Sequence, residues 1–220
     1  ESVKYMQSLS SDYRKQGKII GFVPTMGYLH EGHISLLRIA RQNCDVLVIS
    51  IFVNPTQFGQ NEDYNRYPTD LQKDLYYCEN EKVDIVFHPT VSEMYSKNYS
   101  TYINTEGTMS EVLCGKYRPG HFRGVASVVA KLFNIVQPSF AVFGQKDYQQ
   151  LAVIRKMTAD LNMPIEIISG PTIREKDGLA LSSRNVYLTE NERKIAPILY
   201  KSLLYAQELV VEGERNTSKI

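Results

Sequence analysis

The sequence predicts an α/β fold built on a parallel sheet with right-handed βαβ crossovers. Three observations lead there. Short apolar, β-branched runs alternate with longer helix-period stretches as far as residue 169. Residues 45–54, DVLVISIFVN, are almost wholly apolar, as a strand covered on both faces would be. Polar, glycine-bearing loops recur after the strands, which places them at one rim of such a sheet. The 220 residues suffice for one large domain, or one domain and part of another.

The elements follow in order. Residues 1–16 read as a helix with Val3, Met6, Leu9 and Tyr13 near one face. Residues 18–24 form the first strand and 35–43 the helix after its loop. Residues 45–54 are the second strand, 68–81 a polar helix, and 83–87 a third strand closed by His88-Pro89. Residues 101–104 read as a short extra strand. Residues 123–136 form an apolar helix that stops near Gln137-Pro138, because proline cannot continue it. Residues 140–143 are the fourth strand, 148–161 a helix, and 164–169 the fifth strand. Gly170-Pro171 reads as a boundary. A loop and one helix over 190–212 follow, too little for a domain, and read as the start of a second domain that is cut off at Ile220.

Composition narrows the function. Hydrophobic content of 43% and charged content of 22% are those of an ordinary globular protein. A net charge of +1 marks neither a nucleic-acid binder nor a membrane-surface protein. The apolar runs are too short to span a bilayer, and no secretory start is visible. The chain begins at Glu1 rather than Met, so an earlier N-terminus is expected. Cys44, Cys78 and Cys114 are odd in number and widely spaced, which argues against a disulfide framework or a zinc ribbon and for idle thiols in a reducing cytoplasm.

The most informative stretch is Pro24-Thr25-Met26-Gly27-Tyr28-Leu29-His30-Glu31-Gly32-His33. A strand that turns through glycine into a helix leaves N–H groups unpaired at the helix start, and these with the helix dipole make an anion site. His30 and His33 sit there as donors to phosphate oxygens, in a variant of the His-x-Gly-His signature of nucleotidyl transfer. ATP is therefore the first substrate to consider. The spacing is not His-Glu-x-x-His, and a catalytic zinc would need a third ligand. A capped helix with two surface histidines is the plainer alternative.

Lys146 and Arg184 are the cations on the other rim loops, and Ser182-Ser183-Arg184 offers hydroxyls, N–H groups and a guanidinium together. Asp147 suits either a helix N-cap or a ribose hydroxyl. Gln57 and Gln150 are neutral amides able to bind the hydroxyls and carboxylate of a small polar substrate. Residues 116–124, KYRPGHFRG, read as a mobile gate or as a helix-initiating loop.

Five stretches then resemble one family. GFVPTMGYLHEGHISL, SIFVNPTQF, YRPGHFRGV, FGQKDYQQL and DGLALSSRN occur in the order of the pantothenate synthetase (pantoate–β-alanine ligase) family and cover essentially the whole chain. The resemblance implies a Rossmann-like, doubly wound sheet of adenylyltransferase type over residues 1–170, binding ATP and pantoate. Residues 171–220 would hold the Ser-Ser-Arg loop and the beginning of a truncated C-terminal domain. It implies an ATP-dependent condensation of pantoate with β-alanine through a pantoyl adenylate, releasing AMP and pyrophosphate, in a cytoplasmic homodimer.

The same resemblance assigns residues. Met26, Gly27, Tyr28, Leu29, His30, Glu31, Gly32 and His33 would line the ATP phosphate site. His33 and His30 would be catalytic, with Lys146 and Arg184. Gly144 and Asp147 would bind ribose, with Gln145 in the same ATP-binding loop, and Ile173 would border adenine. Leu181, Ser182, Ser183 and Arg184 would close on the nucleotide. Gln57 and Gln150 would hold pantoate, Gln57 also lying near β-alanine. Mg²⁺ would come with the nucleotide; the sequence does not name its protein ligand, and Asp74 is only a weak candidate.

Two other classes stay open on the residues alone. A nucleotidyltransferase acting on a phosphorylated acceptor shares the histidine pair but wants a cationic acceptor pocket, whereas Gln57 and Gln150 are neutral. A nucleotide-binding module without turnover would bind ATP and release nothing.

Overall fold

The structure, a computed structural model, describes residues 1–220. Its sheet has strands β1 Ile20–Thr25, β2 Val46–Ile51, β3 Ile85–Phe87, β4 Phe140–Gly144 and β5 Glu166–Gly170, all parallel, in the order β3-β2-β1-β4-β5. The helices in chain order are α1 Val3–Lys15, α2 Glu31–Arg41 and α3 Leu71–Asn80. The single-turn helices α4 Val91–Met94, α5 Thr108–Glu111 and α6 Cys114–Tyr117 follow. The rest are α7 His121–Val136, α8 Tyr148–Asp160, α9 Glu190–Ile195 and α10 Ile198–Val211.

Strand alternation divides the core into two layers, because successive side chains point to opposite faces. Ile20, Phe22, Val46, Val48, Ala141 and Phe143 join one apolar cluster with α1, α7 and α8. Val23, Leu47, Ile49, Ile51, Phe140 and Val142 join the other with α2 and Cys78 of α3. With both faces covered, the strands have to read as continuous apolar runs, and they do. The helix α7 packs on the sheet side between α1 and α8 and is buried around most of its circumference. No residue beyond Ile168 belongs to or packs against either cluster.

Several boundaries differ from the sequence expectation, three of them with a visible local reason. Residues 101–104 form no strand; the Ile103 N–H donates to the Ser127 hydroxyl at 2.9 Å instead of to a neighbouring strand. The helix expected over 190–212 is broken into α9 and α10 at Pro197, which has no N–H to give to the preceding turn. The helix expected from residue 68 starts at Leu71, because Asp70 caps it by accepting from the Lys73 N–H at 3.1 Å.

The strand order reverses between β1 and β4, and that is where a crevice opens. Six residue pairs join β1 to β2, from Ile20–Val46 to Thr25–Ile51. Only Gly21–Phe140 and Phe22–Ala141 join β1 to β4, although both strands continue to Thr25 and Gly144. The two strands part toward their carboxyl ends.

Candidate active site

A cavity of ≈ 230 Å³ fills that opening, lined by Pro24, Thr25 and Met26 from β1 and its loop and by Phe143 and Gly144 from β4. Its base is the loop from Met26 to His30. Gly27 has φ +84° and Tyr28 φ +52°, so the chain turns through left-handed backbone before entering α2. A Cβ on Gly27 would also lie 2.9 Å from both Asp74 Oδ2 and Ile51 Cγ2. The Asp74 carboxylate, 1% exposed, accepts from the N–H of Tyr28 at 2.8 Å and of Leu29 at 2.6 Å. Burial pushes its pKa up, and those two N–H groups pull it back. Both oxygens are thus spent on the backbone, and Asp74 is absent from the cavity lining. Asp74, no more than a weak magnesium-ligand candidate on sequence, has a structural role instead.

His30 caps α2. Its Nδ1 accepts from the Gly32 N–H at 3.1 Å, while the His33 Nδ1 accepts from the His30 N–H at 3.3 Å. The rings lie 4.1 Å apart between centroids. Burial, with the nearby Lys146 charge, lowers the His30 pKa to about 4; burial, His30 and Lys146 lower that of His33 to about 3. Both imidazoles are neutral at pH 7. With each Nδ1 accepting, the proton sits on Nε2, which leaves two neutral N–H donors for the cavity.

The second wall carries the cations. Lys146 lies 3.6 Å from Asp147 Oδ2 at the start of α8. Ser182 Oγ accepts from the Arg184 N–H at 3.3 Å, and Ser183 Oγ donates to the Tyr28 carbonyl at 3.1 Å, fastening this loop to the histidine loop. The Arg184 guanidinium forms two bonds to Asp63, at 2.7 and 3.0 Å, and lies 5.1 Å from the Tyr67 ring centroid. The Leu181 N–H donates to the Ile173 carbonyl at 2.9 Å, which brings these two apolar lining residues together.

The third wall is Gln57, Gln150 and the apolar side chains Phe52, Val125, Val128, Val129 and Leu132. Gly124 is a close-approach glycine: a Cβ there would sit 2.2 Å from the Thr56 carbonyl oxygen and 2.7 Å from Gln57 Cα. His121 Nδ1 meets the Gln57 carbonyl at 2.8 Å, and Arg118 pairs with Glu62. The segment read as a gate is therefore anchored at both residues.

The cavity gathers Met26, His30, Gly32, His33, Gln57, Gly144, Lys146, Asp147, Gln150, Ile173, Leu181, Ser182, Ser183 and Arg184 of the expected set. It does not include five others. Gly27, Tyr28 and Leu29 shape the loop from behind, Leu29 lying in the core. Glu31 pairs with Arg38 on the surface, and the exposed Gln145 side chain donates to Ser169 Oγ at 3.4 Å. The sequence reading missed Asn54, Tyr67, Arg118 and His121 as lining residues. Asn54 precedes the Pro-Thr-Gln turn as its cap, and Arg118 and His121 sit inside the YRPGHFRG stretch, so the signal was position within the quoted motifs.

This arrangement can bind a polyphosphate between neutral N–H donors and cations while holding a small, partly apolar carboxylate against neutral amides. The chain is similar to known proteins along its whole length. The sequence profile of the pantoate-beta-alanine ligase family matches residues 1–220. The pantothenate synthetase of Acetivibrio thermocellus is 59% identical over 220 residues, 100% of this chain and 78% of that one. That of Fervidobacterium nodosum is 60% identical with the same coverage, 100% and 78%. The crystal structure of pantothenate synthetase from Thermus thermophilus superposes with a TM-score of 0.92 at 48% identity, covering 97% of this chain and 75% of that one. The pantoate-beta-alanine ligase of Francisella tularensis, complexed with beta-gamma ATP and beta-alanine, gives 0.87 at 42% identity, covering 91% and 77%.

Proposed function

The chain belongs to the pantoate-β-alanine ligase family, and from that premise we propose a two-step reaction within the one cavity. The protein is a ligase that joins pantoate to β-alanine with ATP as substrate. In the first step the pantoate carboxylate attacks the α-phosphorus of ATP, forming a pantoyl adenylate and expelling pyrophosphate. In the second the β-alanine amine attacks the adenylate carbonyl, loses a proton, and AMP leaves. No protein nucleophile is required; orientation and charge stabilisation supply the rate.

The observation that carries this reading is the joint lining of one cavity by phosphate donors and by a neutral substrate wall. His30, His33, Lys146, Ser182, Ser183 and Arg184 stabilise charge on the phosphates. Gly144 and Asp147 take the ribose, and Ile173 borders the adenine. Gln57 and Gln150 bind pantoate's oxygens, with Gln57 beside β-alanine, and the apolar side chains of α7 face its methyl groups. The cation beside Gln57, Arg118, is already paired with Glu62, so a phosphorylated acceptor would find no free charge at the glutamines.

Asp147 is the only acid lining the cavity, and no cluster of three or more acidic, histidine or cysteine side chains offers a metal cage. The donor set therefore does not make a protein-held magnesium site, and Mg²⁺ enters as part of the substrate Mg·ATP. Residues 1–170 act as the ATP- and pantoate-binding domain and 171–220 as the opening part of a smaller one. The exposed apolar side chains Leu199, Leu203 and Val211 on α10 support that division. A cytoplasmic homodimer completes the reading; sedimentation tests the dimer.

Labelled pyrophosphate exchange tests the chemistry. Exchange into ATP should require pantoate and not β-alanine, and adding β-alanine should then yield the amide and AMP. Exchange without pantoate, or amide formation with no exchange under any condition, would sink the two-step reading.

A further inference from the structure

Gln57 is an amide with a donor end and an acceptor end, so its orientation decides what it can recognise. The surrounding hydrogen bonds fix that orientation, beginning at Asn54, which is 1% exposed. Asn54 Oδ1 accepts from the Thr56 N–H at 3.4 Å, a group that can only donate. Asn54 Nδ2 donates to the Gly124 carbonyl at 3.3 Å, a group that can only accept. Two backbone groups thus set the Asn54 amide. Its Nδ2 also donates to Gln57 Oε1 at 3.1 Å. The Gln57 oxygen is occupied, and Nε2 is the end left for the cavity, with only the Met26 sulfur, a weak acceptor, at 3.2 Å.

Tyr95 stands behind this pair. It does not line the cavity, yet its hydroxyl donates to Asn54 Oδ1 at 2.7 Å, the shortest contact of the cluster. Thr56 Oγ1 donates to the same oxygen at 3.0 Å. The Tyr95 ring is seated against Phe52 and Tyr99, at 6.3 and 4.8 Å between centroids, with the Lys131 ammonium 5.5 Å from its centre. Burial pushes the phenol pKa up to about 12, so the hydroxyl stays a donor throughout the working pH range.

We propose that Tyr95, acting through Asn54, is a positioning residue that makes Gln57 a hydrogen-bond donor to the acid substrate. This rests on the reading above that Gln57 holds pantoate. The substrate atom it meets is then an acceptor, a carboxylate or hydroxyl oxygen. A compound presenting an N–H at that point is rejected, because two donors would face each other without a partner.

The test is a cycle of the wild type, Tyr95→Phe, Gln57→Ala and the double variant, with KM for pantoate, KM for ATP and kcat measured on each. Phenylalanine keeps the ring contacts and removes only the hydroxyl. Tyr95→Phe should raise the pantoate KM about fivefold, what one neutral hydrogen bond is worth, with the ATP KM and kcat nearly unchanged. On the Gln57→Ala background it should add nothing, because its effect runs through Gln57. Thr56→Val, which removes a second donor from the same oxygen, should behave alike. Gln57→Glu keeps the oxygen toward Asn54 and replaces the N–H by an oxygen, so it should impair pantoate more than Gln57→Ala does. An unchanged pantoate KM in Tyr95→Phe, effects that multiply in the double variant, or Gln57→Glu milder than Gln57→Ala would each overturn the proposal. A Gln57→Ala variant with normal pantoate KM would instead remove Gln57 from the substrate site.

Discussion

Asp74→Ala takes the carboxylate from beneath the phosphate loop. Two N–H groups, of Tyr28 and Leu29, lose their only side-chain partners at 2.8 and 2.6 Å. A stranded buried donor costs about 1–3 kcal/mol, so the pair costs about 2–6 kcal/mol. Part of this is offset. Burial raises the Asp74 pKa, which means the ionised carboxylate itself carries a desolvation penalty that alanine does not. A net loss of about 2–3 kcal/mol is expected, against a total stability on the order of 5–15 kcal/mol, so the variant should still fold. Asp74→Asn keeps one acceptor and turns a donor toward the other N–H, so it should fall between. The measurement is a urea midpoint for each variant, paired with calorimetric ATP affinity. Affinity should fall with stability, because Gly27 and Tyr28 are in left-handed backbone and His30 follows directly. An alanine variant with both the wild-type midpoint and the wild-type ATP affinity would refute the reasoning, since the loop would then hold its shape unaided.

Other outcomes follow from the same geometry. His33→Ala should cut turnover on the order of a hundredfold while changing ATP affinity much less, as read by single-turnover kinetics beside a binding isotherm. Gly124→Ala should raise the pantoate KM with little effect on ATP, because the added methyl would meet the Thr56 carbonyl at 2.2 Å and push the Gln57 turn away; equal effects on both substrates would contradict this. Stability should be fullest above pH 6.5 and fall on acidification. The unfolded histidines take up protons below 6.5, whereas folded His30 and His33 stay neutral down to about 4 and about 3. Melting temperature against pH should show that decline between 6.5 and 4, and a His33→Gln variant should flatten it. In the absence of ATP, Asp63→Asn should leave Arg184 without its bidentate partner; a guanidinium NMR resonance that is no more mobile than in wild type would argue against that pairing.

The sequence by itself determined the alternation of strands and helices, the parallel sheet, and the loops that meet at its carboxyl rim. These are encoded locally, in β-branched runs and helix-period stretches that act within a few residues; the helix ends at Asp70, His30 and Pro197 are local too, but lie elsewhere than the sequence expectation put them. It also marked fourteen of the cavity's 30 lining residues, because strand ends in such a sheet converge wherever the loops happen to lie in the chain. What it could not decide was how the loops hold one another. Asp74 was only a weak magnesium-ligand candidate on sequence; it lies 46 positions from Tyr28 in the chain, and only folding makes it that residue's hydrogen-bond partner. Arg184 and Asp63 are 121 positions apart, and the polarity of Gln57 depends on the Gly124 carbonyl and Tyr95 acting on Asn54. Hydrogen-bond direction and charge pairing are set by which atoms come within about 3 Å, and that is fixed only when distant segments pack.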